Sequence, residues 1–128
     1  MHLLGATMKR VEPGLVEIEL PHRADLTQQH GYFHAGVVAT IADSAGGYAG
    51  YSLMPAGSTV LTVEYKINLL APAEGERLLA TGRAIKSGRT LTVCEVEVEA
   101  FKGGERTTCA WVLQTVMCLE NRSDRRGG

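Results

Sequence analysis

A long apolar stretch in the first half of the chain constrains the fold most. Residues 35–51 contain no proline and a single charged side chain, Asp43. Apolar residues recur there at three- and four-residue spacing, which predicts a helix. Four glycines in the stretch each cost about 1 kcal/mol relative to alanine, so tertiary packing must hold this helix. Because it is apolar on nearly every side, we expect it to be buried, with other elements wrapped around it.

Asp43 is the exception on this helix. The residues three, four and seven positions away from it are small: Gly36, Ala39, Thr40, Gly46, Gly47 and Gly50. We therefore expect the carboxylate to stand in a trough that another backbone or a thin substrate could approach. A carboxylate on a buried helix must be paired, hydrogen-bonded or used chemically. An arginine partner, a subunit contact and a catalytic role all fit this position.

A polar loop with the sequence QQHGYFH, residues 28–34, precedes the helix. The first helical N–H groups, near Ala35 and Gly36, lack intrahelical partners and carry the positive end of the helix dipole. Such groups hold anions or developing oxyanions. Gln28 adds an amide that could point at the same oxygen. The segment thus offers hydrogen-bond donors at a helix start and a carboxylate about two turns further on.

The segment HGYFHAGVVATIADSAGGYA resembles the active-site segment of the PaaI-type hotdog-fold acyl-CoA thioesterases. In that family an Asn or Gln is followed six residues later by His-Gly-Gly, and an Asp stands nine residues after the His. The matching positions are Gln28, residues 34–36 and Asp43. Downstream, LTVEYKINLLAPAEGE resembles the family's second strand and its exit. Two positions depart from the family pattern: Gln28 replaces the usual Asn, and Ala35 replaces the first Gly.

The resemblance implies an enzyme that hydrolyses acyl-CoA without a cofactor. Asp43 would act as general base or nucleophile, and the N–H groups of Ala35 and Gly36 would form the oxyanion hole. Gln28 would contribute its amide, with Gln29 as the adjacent candidate for that role. A non-catalytic acyl-CoA-binding module is the alternative. A hotdog hydratase or dehydratase is a lesser one, because the His–carboxylate pair that it needs at the helix start is not found.

Other residues have candidate roles beside ordinary structural ones. His34 would orient the loop or the substrate, or make a structural hydrogen bond. Thr62 matches a position where the family places a hydroxyl near the attacking water, although a β-branched residue also suits a strand. Four further residues are candidate substrate contacts: Tyr32 and Phe33 for the acyl group, which equally suit the core, and Lys86 and Arg89 for coenzyme A phosphates, which equally suit a solvated turn.

Alternating polar and apolar residues predict strands on both sides of the helix. The predicted strands span residues 8–11, 15–20, 60–70, 77–86, 90–102 and 107–117. Strands segregated around one helix predict an α+β fold with an antiparallel sheet curled around it, which the resemblance names the hotdog fold. We expect one domain over residues 1–120 and a flexible polar tail over residues 121–128. The resemblance also implies a homodimer or a dimer-of-dimers homotetramer whose active sites are built from two chains.

Composition narrows the remaining classes of function. A formal net charge of −1 gives no electrostatic case for nucleic acid or a membrane surface. The N-terminus lacks a signal-peptide pattern, so a cytoplasmic location is expected. The three cysteines, Cys94, Cys109 and Cys118, are too widely spaced for a zinc site and are expected to be free buried thiols.

Overall fold

The computed structural model describes residues 4–120, and its elements follow the predicted pattern closely. Those residues form β1 (Thr7–Glu12), β2 (Leu15–Pro21), a short 3₁₀ turn (Ala24–Leu26), α1 (Ala35–Tyr51), β3 (Thr59–Leu69), β4 (Arg77–Ser87), β5 (Leu91–Lys102) and β6 (Glu105–Leu119). The predicted helix is confirmed at both ends, and each strand end lies within two residues of its predicted position. The predicted tail, residues 121–128, lies outside the described residues.

The six strands form one antiparallel sheet in the order β1-β2-β4-β5-β6-β3. The helix packs against the inner face of this sheet and contacts β2 through β6. Side chains from the inner face and from the helix share one core, with Ile18, Ile41 and Val96 fully buried at its centre. The predicted α+β hotdog arrangement, a curled antiparallel sheet on one long helix, is therefore confirmed.

Glycines allow the helix to lie unusually close to the sheet. A Cβ atom on Gly82 of β4 would stand 2.4 Å from the carbonyl oxygen of Ala45 on the helix. A Cβ atom on Gly50 of the helix would stand 2.7 Å from Cγ2 of Val116 on β6. Real side chains do not tolerate such distances, so the packing that holds this poor helix former depends on these two residues.

One side of the helix stays open, so the expectation of burial on nearly all sides is wrong there. Thr40, Tyr48 and Tyr51 are exposed, the two tyrosines by about 40%. The sheet curves around only one face of the helix and ends at β3, so nothing in the described chain covers the opposite face. No helix in residues 4–120 is long and apolar enough to span a membrane.

A bulge in β3 changes which side chains face the helix. The register shifts between Thr62 and Glu64, so that Thr62 lies opposite Val116 and Tyr65 lies opposite Gln114. Opposed residues share a face of the sheet, which puts Thr62 and Tyr65 on the same, helix-facing side. The alternation of polar and apolar residues in the sequence predicts that Thr62 and Tyr65 lie on opposite faces. That prediction is wrong because the bulge inserts an extra residue between them. The bulge brings the Thr62 hydroxyl to the helix.

Candidate active site

Hydrogen bonds join the loop before the helix to the β3–β4 connection, to the 3₁₀ turn and to itself. The N–H of Phe33 donates to the carbonyl oxygen of Ala73 at 2.8 Å, and the N–H of His34 donates to that of Leu26 at 3.0 Å. Within the loop, the N–H of Gln28 donates to the carbonyl oxygen of Tyr32 at 2.8 Å. These bonds fix the position and direction in which the helix begins.

The helix start carries backbone donors without partners. His34 is the N-cap residue with an extended backbone (φ −60°, ψ 142°), and its side chain makes no capping hydrogen bond. Its carbonyl oxygen accepts the N–H groups of Val37 and Val38. The N–H groups of Ala35 and Gly36 have no acceptor among the described residues, and the first turn contains no acidic side chain. Both donors are therefore available to an external oxygen.

A cavity of about 310 Å³ lies in front of this helix start. The loop and the helix contribute Gln28, Tyr32, Phe33, His34, Ala35 and Val38 to its wall, and the sheet side contributes Leu69, Ala71, Pro72, Ala73 and Cys109. The walls are mostly apolar, with a few polar groups gathered at the helix start. This combination is typical of small-molecule sites, although the volume is at the lower end of their range.

The structure separates the two adjacent glutamines. Gln28 lines the cavity and is half-buried, and its side-chain Oε1 accepts the N–H of His30, which leaves Nε2 free to donate. Gln29 is exposed and does not line the cavity, and its Nε2 lies 3.4 Å from Nε2 of His30. The geometry thus brings Gln28, and not Gln29, to the helix start.

The Asp43 carboxylate is held by uncharged groups. Its Oδ1 accepts the Thr62 hydroxyl at 2.7 Å and Nε2 of Gln114 at 2.7 Å. The carboxylate is partly exposed, and no salt bridge joins it to a cation in the described part of the chain. The arginine partner that the sequence left open is therefore not found within residues 4–120.

Sequence reasoning missed Gln114, which is fully buried on β6. A signal was present, because Ala110, Val112 and Val116 face inward on this strand and Gln114 shares their alternation. Its Oε1 is buried without a hydrogen-bond partner in the described structure. An unsatisfied buried acceptor of this kind lowers the stability of the fold by about 1–3 kcal/mol. Gln114 is therefore an unfavourable residue for a core position as far as stability is concerned.

Within one chain, the two halves of the predicted site do not meet. Asp43 lies eight positions after Ala35 on the same helix, about 12 Å along the axis, and does not line the cavity. Lys86 and Arg89 are exposed near the β4–β5 turn, at the end of the sheet away from the cavity and Leu69. A complete site would need a second chain.

The buried thiols are poorly suited to nucleophilic catalysis. Burial raises the pKa of both Cys94 and Cys109 to about 11, so both thiols are protonated at neutral pH. Cys109 lines the cavity, but the thiolate and not the thiol is the nucleophile. The described residues contain no cluster of three or more His, Cys, Asp or Glu side chains that could hold a metal ion.

Comparisons with known proteins agree with the fold. Residues 30–107 match the family model described as the thioesterase superfamily. The chain is similar to the crystal structure of a thioesterase family protein from Silicibacter pomeroyi, with 48% identity, a TM-score of 0.92, and coverage of 94% of this chain and 88% of that one. It is 30% identical to the proofreading thioesterase EntH of Klebsiella pneumoniae over 83% of this chain and 77% of EntH. The PaaI protein of E. coli shares the fold, with a TM-score of 0.79, 21% identity, and coverage of 91% and 80%.

Proposed function

This chain belongs to the thioesterase superfamily and is a thioester hydrolase, and from that premise we propose that its substrate is an acyl-CoA. The observation that carries the proposal is the Asp43 carboxylate. It is the only charged group on an otherwise apolar helix, it is held by two hydrogen bonds, and it faces no cation in residues 4–120. A carboxylate kept in this state is oriented and available for chemistry.

The thioester carbonyl oxygen binds at the helix start. The N–H groups of Ala35 and Gly36 donate to it, and Nε2 of Gln28 is a further donor. Negative charge develops on this oxygen when the carbonyl carbon is attacked, and the positive end of the helix dipole favours that charge. One such donor contributes about 3 kcal/mol to the stability of the transition state.

Asp43 acts on the thioester either as a general base that activates water or as the nucleophile. As general base, the carboxylate takes a proton while the water oxygen bonds to the carbonyl carbon. The tetrahedral intermediate then collapses with cleavage of the C–S bond, and the leaving thiolate takes up the proton, which gives coenzyme A and the free acid. As nucleophile, the same carboxylate would form an acyl anhydride that water hydrolyses to the same products.

The active unit is a homodimer in which Asp43 of one copy serves the cavity of the other. The 12 Å or so between Ala35 and Asp43 along one helix supports this arrangement. So does β3, an edge strand whose large apolar side chains are 44–57% exposed: Leu61, Val63, Tyr65 and Leu69. An edge of this kind is removed by pairing with another strand, and two-fold pairing of β3 with itself satisfies both copies. A dimer of dimers would contain the same unit.

The four candidate substrate contacts also have roles in the dimer. Tyr32 and Phe33 in the cavity wall contact the acyl group. Antiparallel pairing of the two β3 strands turns the cavity end of one sheet toward the β4–β5 end of the other. Lys86 and Arg89 of the second copy therefore approach the mouth of the cavity, where they attract the phosphates of coenzyme A.

A thiol-release assay tests the proposal. Aromatic, short-, medium- and long-chain acyl-CoA thioesters are each incubated with the protein, and free coenzyme A is measured. We expect enzyme-dependent release from at least one of them. Tight binding of acyl-CoA without release from any member would indicate a binding module instead, and addition of water to an enoyl-CoA without thiol release would indicate a hydratase.

A further inference from the structure

The side-chain amide of Gln114 is bound into the network that holds Asp43. Its Nε2 donates to Oδ1 of Asp43 at 2.7 Å, to the Asp43 carbonyl oxygen at 3.2 Å and to the Thr62 hydroxyl oxygen at 3.0 Å. The Thr62 hydroxyl in turn donates to the same Oδ1 at 2.7 Å. Within residues 4–120, every hydrogen bond to this carboxylate therefore ends on Oδ1.

Chemistry fixes the orientation of the Gln114 amide. The reversed amide would place Oε1 against a carboxylate oxygen and a carbonyl oxygen, neither of which can donate a hydrogen bond. The third neighbour, the Thr62 hydroxyl, could donate to Oε1 only by giving up its bond to Oδ1. With Nε2 directed at Asp43, Oε1 packs against Gly46. A Cβ atom added to Gly46 would lie only 1.8 Å from this oxygen, so only glycine fits there. No donor reaches Oε1 there. The fold thus leaves one buried oxygen unsatisfied while the amide donors face Asp43.

We propose that Gln114 is a positioning residue for the hydrolysis, which holds Asp43 Oδ1 so that Oδ2 faces the reacting water or thioester carbon. This inference rests on the proposed function. Oδ1, with two donors at 2.7 Å, is the anchored oxygen. Oδ2, which accepts no hydrogen bond from the described residues, is the oxygen that takes the proton or attacks the carbon.

A purely structural role for Gln114 predicts a different outcome from a positioning role. Each group that accepts from Nε2 keeps another partner when the amide is removed. The Asp43 carbonyl oxygen lies inside the helix, where it accepts an N–H one turn on. Oδ1 keeps its bond from Thr62, and the Thr62 hydroxyl keeps the same bond as its donor. Replacement by methionine leaves no new unpaired group and eliminates the unsatisfied Oε1. Stability should therefore hold or rise while the carboxylate loses its orientation.

The experiment is Gln114→Met in the full chain, assayed on the acyl-CoA that wild type hydrolyses best. We expect an unchanged or higher melting temperature, a kcat lower by about 10-fold because the carboxylate is misplaced, and a KM within about 2-fold because ground-state binding is untouched. In an Asp43→Asn background, Gln114→Met should have no further effect on kcat, since the two residues act as one unit.

Contrary results separate this inference from the function on which it rests. Wild-type kcat in Gln114→Met, beside a large loss in Asp43→Asn, would overturn the positioning role alone. An equal loss from Gln114→Met in both backgrounds would also overturn it, because the effect would then bypass Asp43. Gln114→Leu is the second variant, and failure of both variants to fold would show a structural role instead. Absence of turnover in wild type on every thioester would overturn the proposed function together with this inference.

Discussion

Replacement of Asp43 by asparagine is expected to lower kcat by at least about 100-fold, the contribution of a lost general base. The amide cannot take a proton from water and cannot attack the thioester. Its carbonyl oxygen still accepts the bonds that Thr62 and Gln114 donate to Oδ1, so the fold should survive. The measurement is steady-state thiol release with the best acyl-CoA, accompanied by a thermal melt of each protein.

Glu12→Gln is the matched control for the loss of a carboxylate. Glu12 lies on β1, at the opposite edge of the sheet from β3, where it is exposed and paired with Arg10. This variant should retain wild-type kcat. An Asp43→Asn protein that is folded and turns over at the wild-type rate would exclude Asp43 from the reaction.

Replacement of Ala35 by proline is expected to lower kcat by about 100-fold to 1,000-fold, as observed when one oxyanion-hole donor is lost. Proline removes the N–H that we assign to the thioester oxygen. The first helical position accepts proline, because its N–H has no intrahelical partner and its φ is already suitable. The preceding residue, His34, has the extended backbone that proline requires of its neighbour. The helix should therefore form as before, which circular dichroism checks.

Ala35→Gly is the control for this change, because it alters the side chain and keeps the N–H. We expect its kcat to stay within about 3-fold of wild type, since a backbone donor is indifferent to the side chain that it carries. If Ala35→Pro hydrolyses as fast as Ala35→Gly, the oxyanion is not bound by this N–H, and Gly36 and Gln28 would have to provide the hole without it.

Much of the fold was predictable because its signals are local. The three- and four-residue spacing of apolar residues around Asp43 gave both ends of the helix, and alternation gave each strand. The bulge in β3 was not predictable in this way. It depends on how β3 pairs with β6, and it turns Thr62 and Tyr65 to one face against the alternation of the sequence.

Most of the candidate site was predicted from residues that are neighbours in the sequence, whereas Thr62, 19 residues after Asp43, was predicted only through the family resemblance. The loop from Gln28 and the helix carrying Asp43 form one continuous segment, so their chemistry could be recognised together. Gln114 lies 71 residues from Asp43 along the chain, and only the order of the strands brings it close. The open face of the helix was missed for a related reason, because apolar spacing shows that a face is covered but not whether the same chain covers it.

The central claim is that one active site takes its oxyanion hole from one copy of the chain and its carboxylate from another. A heterodimer of Asp43→Asn and Ala35→Pro chains, co-expressed with different affinity tags and purified through both, tests this directly. If sites are shared, one of the two sites is intact, and the heterodimer should turn over at about half the wild-type rate per dimer. If the heterodimer is as inactive as each parent variant, both groups act within one chain and the account is contradicted.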